Sequence, residues 1–258
     1  MHRVSPKVWL IGETKLDYET IETYLASVGA EGWDSDGWSD SDVLSELMGR
    51  LCYRSWKPGL NANVTKVREG NSPYLKNIIA SGHGSVLEHG SSNWLIQDVS
   101  RVFTHELVRH RAGTAFSQES MRYVRLDDLG LWMPPEAEEI PGLVEMCEAK
   151  VRSDEAFLKQ LSVTLDLDGP GRSFEYKKKW TSFMRRFAPD GMATAIGFTI
   201  NHRALRHVLE LRTSKGAEVE IREVFDNIAF IATCQWPALF QDFSRNDDGE
   251  WISGAKKI

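Results

Sequence analysis

The sequence predicts an α+β fold in a single domain, residues 1–258, and three observations predict it. Segments with apolar residues at helical spacing outnumber those with strand character. The two kinds do not alternate in the regular strand–helix order of a doubly wound sheet. No Gly-x-Gly-x-x-Gly occurs, so a dinucleotide bound here is not held by a Rossmann turn. With 41% apolar and 26% charged residues, the chain has the composition of a soluble globular protein with a substantial core.

From the N-terminus, Val8 to Gly12 is an apolar patch too short for a secretory signal. Ile21, Tyr24, Leu25 and Val28 lie on one face of a helix over Asp17 to Val28, closed by Gly29. Asp34 to Asp42 carries four Asp, but without a glycine at the sixth position it does not match a calcium loop; Ser39 and Asp42 instead form a capping box for a helix through Tyr53. Ser72-Pro73 opens a helix through Ala80, closed by Ser81-Gly82. Ser92 to Val99 reads as a strand and Val102 to His110 as a helix. After the turn at Gly113, a strand is expected to present Ser120 and Arg122 on one face. Glu136 to about Leu165 and Phe174 to Phe187 read as helices separated by the loop Asp168-Gly-Pro-Gly171. Met192 to Ile200, a buried strand or helix, is about half the roughly 20 residues that span a bilayer. Asn201 is placed to cap a helix over Arg203 to Arg212, and a last helix covers Ala217 to Cys234. No membrane span is expected, and the protein is expected to be cytoplasmic.

Cys52, Cys147 and Cys234 are far apart and form no Cys-x-x-Cys, so they read as reduced core residues rather than a disulfide framework or a zinc site. No metal is expected: His105 and His110 are five apart, not the four that would put them on one helix face. A net charge of −6 argues against a general nucleic-acid binder. Yet five Arg lie between Arg101 and Arg125, and six more between Arg185 and Arg222. An acidic chain with two Arg clusters is suited to small anions.

Arg109-His110-Arg111, a turn, and then Ser120-Met121-Arg122-Tyr123 describe a cationic cradle. Guanidinium forks match phosphate oxygens, each charge-assisted bond contributing roughly 1.5–3 kcal/mol. The competing reading is a solvated helix end whose cations complement the helix dipole. This segment resembles the signature of flavin-dependent thymidylate synthases, Arg-His-Arg followed by seven residues, Ser, one residue and Arg-Tyr. Here eight residues separate Arg111 from Ser120. The resemblance extends from about Leu51 to Phe240 and includes Leu51-Cys52-Tyr53-Arg54-Ser55, the run Gly82 to His89, Arg185 four residues before Pro189, Asn201-His202-Arg203, and His207 to Arg212.

The resemblance implies that fold, with a small mixed or antiparallel sheet flanked by long helices, and reductive methylation of dUMP to dTMP. It also implies FAD as cofactor, with 5,10-methylenetetrahydrofolate and NADPH as co-substrates, and a homotetramer whose active sites are shared between subunits. Ser91, Arg109, His110, Arg111 and Gln118, with His89 close by, would hold FAD from one side, and Asn201, Arg203 and His207 from the other. Glu106, Arg109, Gln118, Glu119, Ser120, Met121, Arg122, Arg185 and Arg212 would hold dUMP. Methylation at carbon 5 of uracil requires either a thiolate added to carbon 6 or an ionised ring. Cys234 and Cys52 lie in predicted apolar helices and neither shows a flanking basic partner, so Arg212 is the candidate that stabilises the anionic ring. A cation at about 4 Å contributes about 4 kcal/mol at an effective dielectric near 20, or roughly three pK units. The alternatives are a flavin enzyme acting on another pyrimidine nucleotide and a non-catalytic nucleotide- or RNA-binding protein.

Overall fold

Most helices begin where a side chain satisfies the open amides of a first turn. In the computed structural model, which describes residues 1–126 and 128–255, Asp17 accepts from the Thr20 amide at the start of α1 (Tyr18–Ser27). Ser39 and Asp42 form the expected capping box of α2 (Asp40–Tyr53). α3 (Asn71–Ala80) carries Pro73 in its first turn, where an amide has no intrahelical partner. Ser100 caps α4 (Arg101–Leu107). α5 (Leu143–Thr164) is the longest helix among the described residues, and Ser173 caps α6 (Phe174–Met184). Asn201 caps α7 (His202–Thr213), as expected, and Glu218 caps α8 (Val219–Gln235).

The strands are β1 (His2–Arg3), β2 (Lys7–Glu13), β3 (Ser91–Ser100), β4 (Thr114–Gln118), β5 (Gly130–Leu131), β6 (Ala193–Asn201), β7 (Phe243–Arg245) and β8 (Trp251–Ser253). A four-stranded sheet has the order β2-β3-β6-β4; β1 pairs in parallel with β5, and β7 pairs antiparallel with β8. The α+β class is therefore observed. β6 resolves the strand-or-helix choice: Thr194, Ile196, Phe198 and Ile200 are buried while their neighbours are half-buried, a period of two.

Three expectations are corrected. The stretch Glu136 to Leu165 is not one helix but a 3-10 turn (Pro135–Glu139) followed by α5. Pro141 biases Ile140 to extended backbone, and Gly142 takes φ 78°, so the helix cannot run through them. The strand expected to present Ser120 and Arg122 ends at Gln118; the Ser120 carbonyl accepts from the Tyr123 and Val124 amides at 2.9 and 3.0 Å, closing a turn. The cysteines are not core residues: Cys52 and Cys234 lie on the exposed sides of α2 and α8, and Cys147 is half-buried.

The chain folds into two units, the first from Met1–Trp9, Leu95–His110 and Phe116–Phe198, the second from Leu10–Trp94, Arg111–Ala115 and the chain from Thr199 onward. In the first, Leu126, Leu129, Val151, Leu158, Leu167, Met184 and Met192 form a core on which Tyr176 and Trp180 of α6 pack. In the second, Trp94 and Trp236, both fully buried, meet edge to face at 6.2 Å. Beside a smaller core of Leu25, Ala30, Leu47 and Trp56, the second unit also buries an ion pair. Arg50 Nε donates to Glu46 Oε1 at 2.8 Å, and its other nitrogens donate to the Ser55 and Arg68 carbonyls at 2.7 Å each. Asn71 donates to the second Glu46 oxygen at 2.8 Å. Removing one partner strands a buried charge. Glu46→Ala is expected to lower the free energy of unfolding by about 3–5 kcal/mol, measured by urea titration.

Candidate functional site

β6 passes into α7 without a loop, so Asn201 both ends a strand and caps a helix, its Oδ1 accepting from the Ala204 amide at 2.8 Å. Two further segments of the second unit end on this junction. The Asn201 amide donates to the Gly113 carbonyl at 2.9 Å, and the His202 amide to the Gly90 carbonyl at 3.1 Å. Neither glycine can carry a side chain: a Cβ on Gly113 would lie 2.2 Å from Asn201 Nδ2, and one on Gly90 would lie 2.8 Å from His202 Nδ1. The junction thereby gathers the Arg111 turn, the His89-to-Ser91 segment and Asn201 to Arg203.

Arg203 forms an ion pair with Glu88, and the Ser91 amide donates to Thr14 Oγ1 at 2.9 Å. Arg203 also lines a cavity of about 350 Å³ with Tyr53, His83 and Ser85, the Tyr53 and His83 rings stacked at 6.1 Å. His89, Arg111 and His207 are exposed, and Arg212 is half-buried in the last turn of α7. His202, by contrast, is fully buried, its ring 4.5 Å from that of Trp236. Its ring nitrogens have no hydrogen-bond partner among the described residues, and burial pushes its pKa down to about 3. It is a neutral packing group, not a base.

The first unit holds the other residues singled out by the sequence. Glu106 is half-buried within α4; Arg109 is exposed and His110 half-buried just beyond that helix. Gln118 Nε2 donates to Thr104 Oγ1 of α4 at 2.9 Å. The Glu119 amide donates to the Ala195 carbonyl at 3.0 Å, and its carboxylate accepts from the Ala195 amide at 3.2 Å. The Ser120 hydroxyl accepts from the Arg122 amide at 3.3 Å, and Thr181 Oγ1 of α6 donates to the Arg122 carbonyl at 2.8 Å. Gln118 to Arg122, with the half-buried Met121 among them, is thus pinned to α4, β6 and α6 in turn. Arg185 is exposed in the 3-10 turn that follows α6. Burial lowers the pKa of nearby Arg101; Asp190 opposes that shift and Arg185 adds to it. The residues expected at the site therefore form two groups: His89, Ser91, Arg111, Asn201, Arg203, His207 and Arg212 in the second unit, and the remainder in the first.

Residues 35–238, most of the chain, match the family described as thymidylate synthase complementing protein. The chain belongs to the flavin-dependent thymidylate synthase family. It is 36% identical over 217 residues to the flavin-dependent thymidylate synthase of Mycobacterium avium, covering 81% of each chain. It is likewise 36% identical over 221 residues to that of Mycobacteroides abscessus, covering 81% of this chain and 84% of the relative. Among solved structures, its fold is similar to that of the UMP/dUMP methylase PolB from Streptomyces cacaoi bound with 5-Br dUMP. The TM-score is 0.61 at 20% identity, over 93% of this chain and 96% of that one.

Within this family framework, sequence reasoning named the charged residues and the turn at Gly113 but missed the other residues that place them. Gly90, Gly113, Thr104 and Thr181 anchor the named segments, and Tyr53 and His83 lie beside Arg203. Tyr53 and His83 fall inside the family-like blocks and were detectable there; the Thr contacts leave no local pattern. Gly113→Ala is expected to destabilise the protein by more than about 1 kcal/mol in urea titration, since φ of +69° disfavours any side chain and the added carbon would displace Asn201. The depressed His202 pKa sets a second expectation. Stability from neutral His202 is complete above the unfolded value of about 6.5 and is lost as pH falls from there towards about 3. Urea midpoints measured across that range should fall less steeply in His202→Leu than in the parent.

Proposed function

We propose that this protein converts dUMP to dTMP by reductive methylation, with 5,10-methylenetetrahydrofolate as one-carbon donor and NAD(P)H as reductant acting through bound FAD, and without a cysteine nucleophile. The observation that carries this reading is the junction at Asn201 to Arg203, where the Arg111 turn and the Glu88-to-Ser91 segment meet in a chain of this family. The donor set there fits a dinucleotide: guanidinium groups for a diphosphate, with hydroxyl, amide and imidazole groups for ring edges and ribose. Arg111, Asn201, Arg203, His207, Ser91 and His89 would hold the flavin, with Arg109, His110 and Gln118. Bound flavin supplies hydride transfer, the step that protein side chains cannot perform.

The nucleotide reading rests on Glu106, Arg109, Gln118 to Arg122, Arg185 and Arg212. Arg122 is held by its own backbone bonds to Ser120 and Thr181, which leave its guanidinium to meet an anion. Arg212, in the last turn of α7, stabilises the ring once its N3 proton is lost, which makes carbon 5 nucleophilic without a thiolate. Active sites completed by other copies of the chain in a homotetramer, in the cytoplasm, belong to the same proposal. The solved neighbour is a UMP/dUMP methylase, so UMP is the informative competing substrate.

The purified protein is expected to be yellow and to release tritium from carbon 5 of dUMP faster than from UMP or dCMP. A colourless preparation that FAD does not reconstitute overturns the reading. Arg212→Ala is expected to lower turnover by about 100-fold or more while the flavin absorbance is retained. Near-full activity removes Arg212 from the mechanism.

A further inference from the structure

α6 presents one face to the core and another to solvent, and the solvent face is unusual. Glu175, Lys178, Lys179, Ser182, Phe183 and Arg186 recur at helical spacing and, with Arg122 beside them, line a groove of about 620 Å³. Among the described residues of this lining, four are cations and one is an acid, in a protein whose net charge is −6. The stripe from Glu175 to Arg186 is roughly 16 Å long at 1.5 Å per residue.

A solvated helix face would account for the lysines but not for the rings among them. Tyr123, Phe174 and Phe183 are 57%, 66% and 39% exposed. Tyr123 and Phe174 stack at 6.1 Å, with Lys178 about 6 Å from both rings, and Lys179 lies 5.2 Å from the ring of Trp180. Arg122 adds a buried Nε that has no hydrogen-bond partner among the described residues. Clustered cations flanked by exposed rings suit a ligand that carries a row of negative charges on an apolar stem.

We propose that this groove holds the acidic γ-glutamyl tail of the folate donor, a deepening that rests on the thymidylate reading. The donor must bring its one-carbon unit to the nucleotide, so its tail is the part left to extend outward past Arg122. A short oligocarboxylate suits a patch about 16 Å long. A long nucleic acid would have to extend beyond this patch over a protein whose net charge is −6, which disfavours it.

The test compares monoglutamyl and pentaglutamyl methylenetetrahydrofolate as donors for the full-length flavin-loaded enzyme. The pentaglutamate is expected to have a KM lower by about tenfold, equivalent to roughly 1.4 kcal/mol, with the advantage shrinking as salt is raised. The triple variant Lys178→Gln, Lys179→Gln, Arg186→Gln is expected to erase that advantage while kcat and the monoglutamate KM stay unchanged, which also reports that it is folded. Should the triple variant not fold, Lys179→Gln alone is expected to lose part of the advantage. Equal KM values in the parent, or an advantage that survives in the folded triple variant, overturns the proposal. If neither donor yields dTMP, the thymidylate reading fails by itself. Fluorescence titration with pteroylpentaglutamate against pteroylmonoglutamate then decides the groove without turnover: preference for the pentaglutamate, lost in the variant, supports it, and equal binding overturns it. A single-stranded RNA 12-mer that binds more tightly than the pentaglutamate, through the same three side chains, also overturns it.

Discussion

The Asn201–His202 backbone, where two successive amides donate to the carbonyls of two glycines, is the constraint on which the site depends. A strand that turns directly into a helix exposes consecutive amides over a short stretch of backbone, and those amides need acceptors. Gly113 and Gly90 supply them from segments distant in sequence, at approaches of 2.2 and 2.8 Å that would put any β-carbon inside a neighbouring side chain. Because the partners are backbone groups, position is fixed without using the charged side chains nearby. Arg111 is two residues from Gly113 and Ser91 is next to Gly90, so both are carried to the junction by bonds in which their own side chains take no part. A cationic cluster assembled by its own side chains would have to resist mutual repulsion; here neutral backbone contacts oppose it.

What was legible in the sequence follows from how local each signal is. The Ser39–Asp42 box and the Asn201 cap are complete within four residues, and both formed where expected. β6 could not be separated from a helix by composition, since Met192 to Ile200 is apolar almost throughout; only the packing of alternate residues reveals its period. The break in the long helical region did have a local signal, Pro141-Gly142, which an otherwise helical pattern on both sides obscured. β1, β5, β7 and β8 are two or three residues long and exist through pairing with distant partners, so nothing in their own sequence marks them.

The same distinction separates the arginines. Counting them predicted anion binding, but position decides which ones are available. Arg206, inside the second cluster, is fully buried: it donates to the Leu239 carbonyl at 2.6 Å and through two nitrogens to Asp242 at 2.8 Å each. Arg50 is likewise enclosed, between Glu46 and two carbonyls. Such residues are structural, because a buried guanidinium is tolerated when a carboxylate neutralises it and most of its donors are met; in Arg206 only Nε has no partner among the described residues. Spacing along a helix does not reveal this: Arg203 and Arg206 both belong to α7, one half-exposed and one sealed.

Exposure therefore divides the cations into those that hold the fold and those able to meet a ligand, and the second group spans both units of the chain. Guanidinium forks dominate where the family signature lies, at Arg109, Arg111, Arg122 and Arg203, whereas ammonium groups dominate along α6. A fork with fixed geometry suits a phosphate held in one orientation. A flexible, strongly hydrated ammonium on a four-carbon stem suits charge that is distributed along a mobile chain. The two chemistries meet at Arg122, whose backbone is bonded to the turn on one side and to α6 on the other, so that one residue borders both the proposed nucleotide site and the groove beside it.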